Sequence, residues 1–465
     1  MKKFKHLLAI GAISILSTAA LNSCNKTGFK VGLLCLHGQT STYDNNFING
    51  FLSAIDKLKQ EGVINGDEYE IRTDVGEDYN EIYTAAKEWA EDGYSLVFAD
   101  SFGHQYGLID VATEYPNTEF SHATGTTAFI NPQLKNYHNA FASIYKGRYL
   151  AGVAAGWKMI EDIQANKYTL EDAKVGYVGA WPYAEVISGY TSFYLGVCTA
   201  FDETYGDMNH RPPMYVKYTF SWYDYAAEKE AAQSLITQNG CKLLSGHADS
   251  MGVPQVCSAY SIPNVTYNIS TFNKTPNSYL YGCKINWEPY FELIIRATKE
   301  KYDNKAESAN IPTDFSGDLD VDENKGSVQM LEFGSIASDN IKNKVAIAKD
   351  NLINKKTFVF DTSKFTVSLS NNQSYMVYNV EFEDPNVTEH GKVKNYIANV
   401  IDDPDYYADT PVVAEYEDIK YINESGYDSQ IPYDPTSGKA DCLRSAPYFE
   451  LIIDGITELN RAWGK

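Results

Sequence analysis

A chain of 465 residues is longer than one hydrophobic core usually serves, so two lobes or domains are expected. Acidic residues outnumber basic ones 61 to 39, for a formal net charge of −22. Nucleic acid is thereby excluded as a partner, because such a chain repels phosphate backbones and has no basic stripe to neutralise them.

The first residues place Lys2, Lys3 and Lys5 ahead of an apolar run from Leu7 to Leu21, the layout of a secretory signal peptide. Leu21-Asn22-Ser23 leads directly into Cys24, which reads as a lipobox: the Cys24 thiol would take a diacylglycerol, and acylation of the new amino terminus would complete a stable anchor. Residues 1–24 are therefore expected to be signal peptide, ending in a lipidated Cys24 that tethers the mature protein outside the cytoplasm. Without the three signal-peptide lysines, 36 basic residues face 61 acidic ones, a mature net charge of −25 that suits an exported, soluble body. No later stretch is apolar enough to span a bilayer.

Beyond the leader, Lys30 to Leu36 reads as a buried strand, Phe47 to Gln60 as an amphipathic helix, Glu68 to Thr73 as a strand, Asn80 to Asp92 as a helix and Leu96 to Ala99 as a strand. Strands separated by helices need crossover connections, which points to a parallel sheet covered on both faces. The series restarts after Thr124, with helix 147–161, strand 174–179, helix 186–199, strand 214–219, helix 226–239 and strand 242–245. The expected fold class is α/β: two doubly wound parallel-sheet lobes with a ligand cleft at the carboxyl ends of their strands. Residues 29–124 with about 269–285 are assigned to lobe 1, residues 125–268 with about 286–370 to lobe 2 and the hinge return, and residues 371–465 to a C-terminal elaboration packing on the lobes. The segment Pro289 to Ile295 recurs as Pro447 to Ile453, and both copies read as helix starts with proline in the first turn.

Of the seven cysteines no two form a C-x-x-C pair, so no metal site is expected; apart from Cys24 they read mostly as buried thiols. No cofactor is implied. The motifs G-x-S-x-G, G-x-x-x-x-G-K-[ST] and H-E-x-x-H are absent. His247-Ala-Asp-Ser250 brings three triad residue types together, but neighbours on an extended segment face opposite ways and cannot complete a triad alone. The reading is therefore a binding protein and not an enzyme. What strand ends do offer is aromatic and polar side chains: Tyr43, Asp44, Asn45, Asn46 and Phe47 at the first helix start, Trp181, Tyr183 and Glu185 after the second lobe's first strand, and Trp222 and Tyr223 after its second. Such clusters suit a flat heterocycle held between rings, with its polar edge met by carboxylates.

Several stretches resemble the basic membrane protein family, whose best understood members are nucleoside-binding lipoproteins of transporters. They are Lys30 to Leu34 with the Asp44 to Gly50 loop, Gly147 to Gly156, Val175 to Gly179, Ser221 to Asp224 with Glu228 to Ala232, His247 to Gly252, and Asn286 to Tyr290; the similarity runs over roughly 30–370. The resemblance implies a type I periplasmic-binding-protein fold whose lobes are joined by hinge strands. In the family's first loop, D-x-S-F-N, the aspartate meets the ribose and the ring stacks on the base. Asp44 and Phe47 match that loop, while Asn46 stands for its serine and Ile48 for its asparagine. Asp249 resembles the sugar-binding aspartate, and Asp100 lies near a further cleft position. His247, Asn268 and Trp287 complete the expected ligand contacts. The implied function is the solute-binding subunit of an ABC transporter, binding a purine nucleoside or related heterocycle, with a permease and the membrane anchor as partners. The alternatives are a surface interaction protein on the same scaffold, or a cleft hydrolase using His247 or Glu185 as base.

Overall fold

The computed structural model describes residues 28–365 apart from short gaps, residues 453–461, and four two-residue strands between positions 381 and 414. The signal peptide with Cys24, the second copy of the repeat at positions 447–452, Cys442, and most of the expected C-terminal elaboration lie outside the described residues. Among the described residues no helix is long and apolar enough to cross a membrane.

In chain order the first lobe contributes β1 (Val31–Leu34), α1 (Thr42–Gln60), β2 (Tyr69–Arg72), α2 (Tyr79–Glu91), β3 (Leu96–Ala99), α3 (Gln105–Glu114), β4 (Glu119–Ala123), α4 (Thr127–Ile130) and β5 (Tyr137–Ala142). The second lobe follows with α5 (Ile144–Gln164), β6 (Val175–Gly179), α6 (Ala184–Tyr205), β7 (Met214–Tyr218), α7 (Tyr225–Thr237), β8 (Leu243–His247), α8 (Gly252–Tyr260), β9 (Asn264–Tyr267) and β10 (Tyr279–Ile285). The chain then crosses back with α9 (Glu288–Asn304) and β11 (Asp314–Gly317), and returns with β12 (Val328–Met330) and α10 (Asp339–Ile353).

The first sheet has the order β11-β5-β4-β3-β1-β2 and is parallel throughout. The second runs β12-β10-β9-β8-β6-β7 and ends on a strand formed by Ile456–Glu458, which lies parallel to β7; only the β10–β12 pair is antiparallel. Every residue of β1, β3, β4 and β5 is buried, as expected of a parallel sheet covered by helices on both faces. Helices begin where side chains satisfy free N–H groups: Asp78 caps α2, Asp224 caps α7 and Ser338 caps α10. The glycine-rich start of α5 has a packing role. A Cβ on Gly152 would lie 2.0 Å from the Phe193 carbonyl oxygen, and one on Gly196 would lie 2.1 Å from that of Tyr149, so α5 and α6 cross with their backbones in contact.

Two of the expected boundaries are corrected. Lobe 1 does not end at Thr124, because β5 lies in its sheet, paired with β4 through Phe120–Tyr137 and Ala123–Ala140. The strands β4 and β5 evade a hydrophobic-run reading because they carry polar residues that satisfy one another: His138 Nε2 lies 2.8 Å from Glu119 Oε2, Lys301 of α9 donates to Glu119 Oε1 at 2.6 Å, and Asn139 donates to Asp314 of β11 at 2.7 Å. The return exchange is also inverted. Positions 279–285, expected in lobe 1, pair with β9 in the second sheet, whereas α9 and β11, expected in lobe 2, complete lobe 1. The aromatic residue Phe291 of α9 packs among Phe47, Phe51 and Phe98, which draws that helix to the first sheet. Pro289 occupies the first turn of α9, as expected. Cys35, Cys198, Cys241, Cys257 and Cys283 are all buried and unpaired, in line with the buried-thiol reading.

Candidate functional site

The carboxyl ends of both parallel sheets converge on a narrow cavity lined by residues of both lobes. Lobe 1 supplies Leu36, Tyr43, Asp44, Ser101, Phe102 and Thr124. Lobe 2 supplies Glu185, Trp222, His247, Asp249 and Tyr267. The lobes touch at its rim: Thr42 N donates to the Asp249 carbonyl at 2.8 Å, the rings of His37 and Tyr223 are 5.7 Å apart, and those of Phe102 and Tyr183 are 6.2 Å apart.

On the lobe 1 side the Asp44 carboxylate is occupied, whereas Asp100 Oδ2 is buried without a partner among the described residues. Ser41 and Asp44 form a reciprocal cap at the start of α1, with Asp44 N donating to Ser41 Oγ at 3.2 Å and the Ser41 hydroxyl donating to Asp44 Oδ2 at 2.5 Å. His37 N donates to Asp44 Oδ1 at 2.7 Å. Burial works to raise the Asp44 pKa, but the hydrogen bonds from His37 and Ser41 outweigh it and hold the carboxyl below its usual range. Behind it Asp100 is fully buried, its Oδ1 accepting from Leu36 N at 2.9 Å, and burial together with the nearby Asp44 pushes its pKa well up. Tyr43 donates to the Asp100 carbonyl at 2.7 Å. Cys35, Asp44 and Asp100 bring donor atoms within 4.8 Å of one another. Burial favours the protonated forms of Cys35 and Asp100, and the Asp44 oxygens are taken by Ser41 and His37, so the trio reads as a proton-sharing cluster.

On the lobe 2 side the polar groups are under-supplied. The Asp249 carboxylate is buried and, among the described residues, is met by Asn268, whose Nδ2 lies 3.4 Å from Oδ1; burial, then the charges of Asp44, Glu228 and Glu185, push the Asp249 pKa well up. Asn268 itself sits at φ 69° and leaves its Oδ1 without a partner among the described residues. His247 Nε2 lies 3.2 Å from Glu185 Oε1, yet burial lowers the His247 pKa and its Nδ1 has no described partner. The buried Tyr267 hydroxyl has none either. Glu228 supports the loop from below, accepting from Ser250 N at 3.1 Å, and burial pushes its pKa up to about 7. Arg148 lies behind the floor, fully buried between the ring faces of Tyr177 and Tyr267, and donates to the Gly246 carbonyl at 2.9 Å.

Aromatic faces come from opposite sides, Phe102 from lobe 1 and Trp222 from lobe 2. Tyr183 bridges them, 6.2 Å from Phe102 and 5.9 Å from Trp222 between centroids. Aromatic side chains of both lobes thus line one cavity, a composition that suits a flat ligand.

The structure brings Tyr43, Asp44, Glu185, Trp222, His247 and Asp249 to the cavity, with Asp100, Tyr183 and Asn268 immediately around it. Others stand elsewhere. Phe47 and Trp287 are core residues with ring centroids 4.5 Å apart, so the ring that the resemblance assigns to stacking lies behind the wall. Asn46 donates to the Ile285 carbonyl at 2.8 Å and fastens α1 to the end of β10. Asn45 accepts from Asn49 on an exposed turn of α1, Trp181 stacks on Tyr183, and Tyr223 lies against His37. Sequence reasoning missed Leu36, Ser101, Phe102, Thr124 and Tyr267. Ser101 and Phe102 carry the strand-end signal used elsewhere, since they directly follow Leu96–Ala99; Tyr267 ends β9, which shows no alternation to announce it. The hydrolase constellation is not assembled: His247 turns Nε2 to Glu185, the Asp249 carboxylate meets Asn268, and Ser250 Oγ accepts from Gly252 N.

Comparison with known proteins gives a consistent picture. A family model described as ABC transporter substrate-binding protein PnrA-like matches residues 30–275. A putative ABC transporter glucose-binding protein, TsgA13, from Haloferax volcanii is 25% identical over 280 residues, 60% of this chain and 62% of that protein. The purine-binding protein BAB2_0673 of Brucella abortus is 30% identical over 227 residues, 48% of this chain and 56% of that protein. The matches thus span less than two thirds of these relatives' own lengths. Among solved structures, an ABC transporter solute-binding protein from Aeropyrum pernix superposes with a TM-score of 0.54 at 14% identity, covering 71% of this chain and 93% of the other, which supports the two-lobed fold.

Proposed function

The chain belongs to the PnrA-like family of ABC transporter substrate-binding proteins, and on that premise we propose that its cleft closes around an uncharged planar heterocycle, a purine nucleoside in the first instance. Closing the lobes on the ligand would present one docking surface to an ABC permease, with the protein held outside the cytoplasm by a lipidated Cys24. The observation that carries the reading is a single cavity lined by Phe102 of lobe 1 and Trp222 of lobe 2 together with Asp249, Glu185 and Tyr267. Rings on both faces suit a base, and carboxylates suit ring N–H groups or sugar hydroxyls. The same carboxylates oppose a phosphate, so nucleotides are disfavoured. The cleft performs no turnover in this account. Its polar groups receive a ligand and are not arranged around a nucleophile.

Denaturing freshly purified protein and identifying co-released small molecules by mass spectrometry tests this directly, because tight binders retain their solute. A purine nucleoside that also raises the melting temperature on re-addition supports the proposal. An empty cleft with no shift across a nucleoside panel removes it. Lipidation has its own test: labelled palmitate should appear in the native protein and disappear in Cys24→Ala.

A further inference from the structure

At the opposite end of lobe 2, beneath the amino-terminal edges of β8, β9 and β10, lies a second cavity of about 470 Å³. Three lysines from separate segments reach it: Lys158 of α5, Lys167 of the loop after it, and Lys242 before β8. They share one carboxylate. Lys158 and Lys167 both bind Asp162 Oδ1, at 2.5 and 2.8 Å. Lys242 meets no carboxylate among the described residues and lies 5.9 Å from the centroid of the Tyr168 ring. The Tyr168 hydroxyl is buried with no described partner, and Asn277 stands at the rim. Glu161, whose charge reaches Lys167, accepts hydrogen bonds from Ser338 and Asn340.

Two features set this place apart from ordinary surface lysines. Lys158 is only 8% exposed, so it is a charge largely withdrawn from water. The local excess of positive charge also stands in a chain with 61 acidic and 39 basic residues. An ammonium carries three donors, and Lys158 and Lys167 each give one to Asp162, so the hollow is lined by three lysines and a phenol hydroxyl against one carboxylate. We propose that this cavity binds a small tetrahedral oxyanion of the phosphate class, held by Lys158, Lys167, Lys242 and the Tyr168 hydroxyl. Such a ligand supplies several acceptor oxygens and the missing negative charge in one body. The site is independent of the cleft, since it sits at the other end of the same strands and shares no residue with it.

The test uses the intact protein and inorganic phosphate, with sodium chloride at matched ionic strength as the control. Phosphate should raise the melting temperature in a saturable way that chloride does not reproduce. Lys242→Gln, a near-isosteric change at a half-buried position, should weaken apparent phosphate affinity by about tenfold, and Tyr168→Phe by a smaller factor. Trp222→Ala, which alters the cleft, should leave the phosphate response in place. No stabilisation beyond chloride overturns the proposal, as does a response that survives Lys242→Gln, or one lost in Trp222→Ala, which would move the anion to the cleft.

Discussion

The two walls of the cleft are built alike, each from strand ends of a parallel sheet, yet they differ in how much hydrogen-bonding capacity they leave unused. In lobe 1 the Asp44 carboxylate serves Ser41 and His37 N, and Tyr43 is tied to the Asp100 backbone. In lobe 2 Asp249 has one long contact, the Tyr267 hydroxyl has none, and His247 relies on Glu185. A satisfied wall holds its shape, whereas an under-supplied one has buried groups whose desolvation cost is recovered when a ligand arrives. On the proposed function lobe 1, Asp100 Oδ2 apart, would act as the mould and lobe 2 as the reader of the ligand's polar edge.

The strongest way to break that contrast is Asp249→Ala. It should weaken ligand binding by about 10- to 100-fold, the scale of leaving a buried ligand group without its hydrogen-bond partner, while leaving the melting temperature of the unliganded protein unchanged or raised, because it removes a buried, poorly partnered carboxyl. Calorimetric titration and thermal unfolding of the same variant measure both halves. Trp222→Ala comes next, with affinity falling by about 10- to 100-fold through loss of stacking. The mirror experiment lies in lobe 1. Ser41→Ala breaks the reciprocal cap and should cost about 1 kcal/mol of stability in denaturant unfolding, with only a small change in affinity. If Ser41→Ala instead harmed binding more than Asp249→Ala did, the roles of the two walls would be reversed.

Glu228 sharpens the comparison through pH. Its folded pKa of about 7 stands above the ordinary glutamate value of 4.5. A raised acid means that the folded state holds more protons than the unfolded one between those values, so this group's contribution to stability falls as pH rises from about 4.5 through 7. Glu228→Gln keeps an acceptor for Ser250 N but cannot ionise. Its stability should therefore depend less on pH over that window and exceed that of the native protein at pH 8, by about 1–3 kcal/mol at most. An unchanged pH profile would show that Glu228 does not titrate there.

Much of the architecture could be read from sequence where the code is simple. Apolar runs such as Val31–Leu34 and Leu96–Ala99, and helices with capping residues such as Asp224, announce themselves. Strands stabilised by internal polar pairs do not: Glu119 and His138 look like surface residues until their 2.8 Å contact is seen. The crossing of α9 to lobe 1 was also hidden, since an apolar helix face does not say which sheet it will cover. In the cleft, residue type singled out Asp249, His247 and Trp222, which line the cavity, but it could not tell Phe102 in the wall from Phe47 in the core, because both are aromatic residues near a strand end.

The central claim, that the lobes close on an uncharged planar heterocycle read by lobe 2, is tested most directly by calorimetric titration of purine nucleosides, their free bases and the matching 5′-monophosphates into ligand-stripped protein. At least one nucleoside or base should bind with a Kd at or below about 1 μM, and its monophosphate should bind about 100-fold more weakly against the cleft carboxylates. No heat from any planar heterocycle, or tightest binding by a monophosphate, would contradict the account.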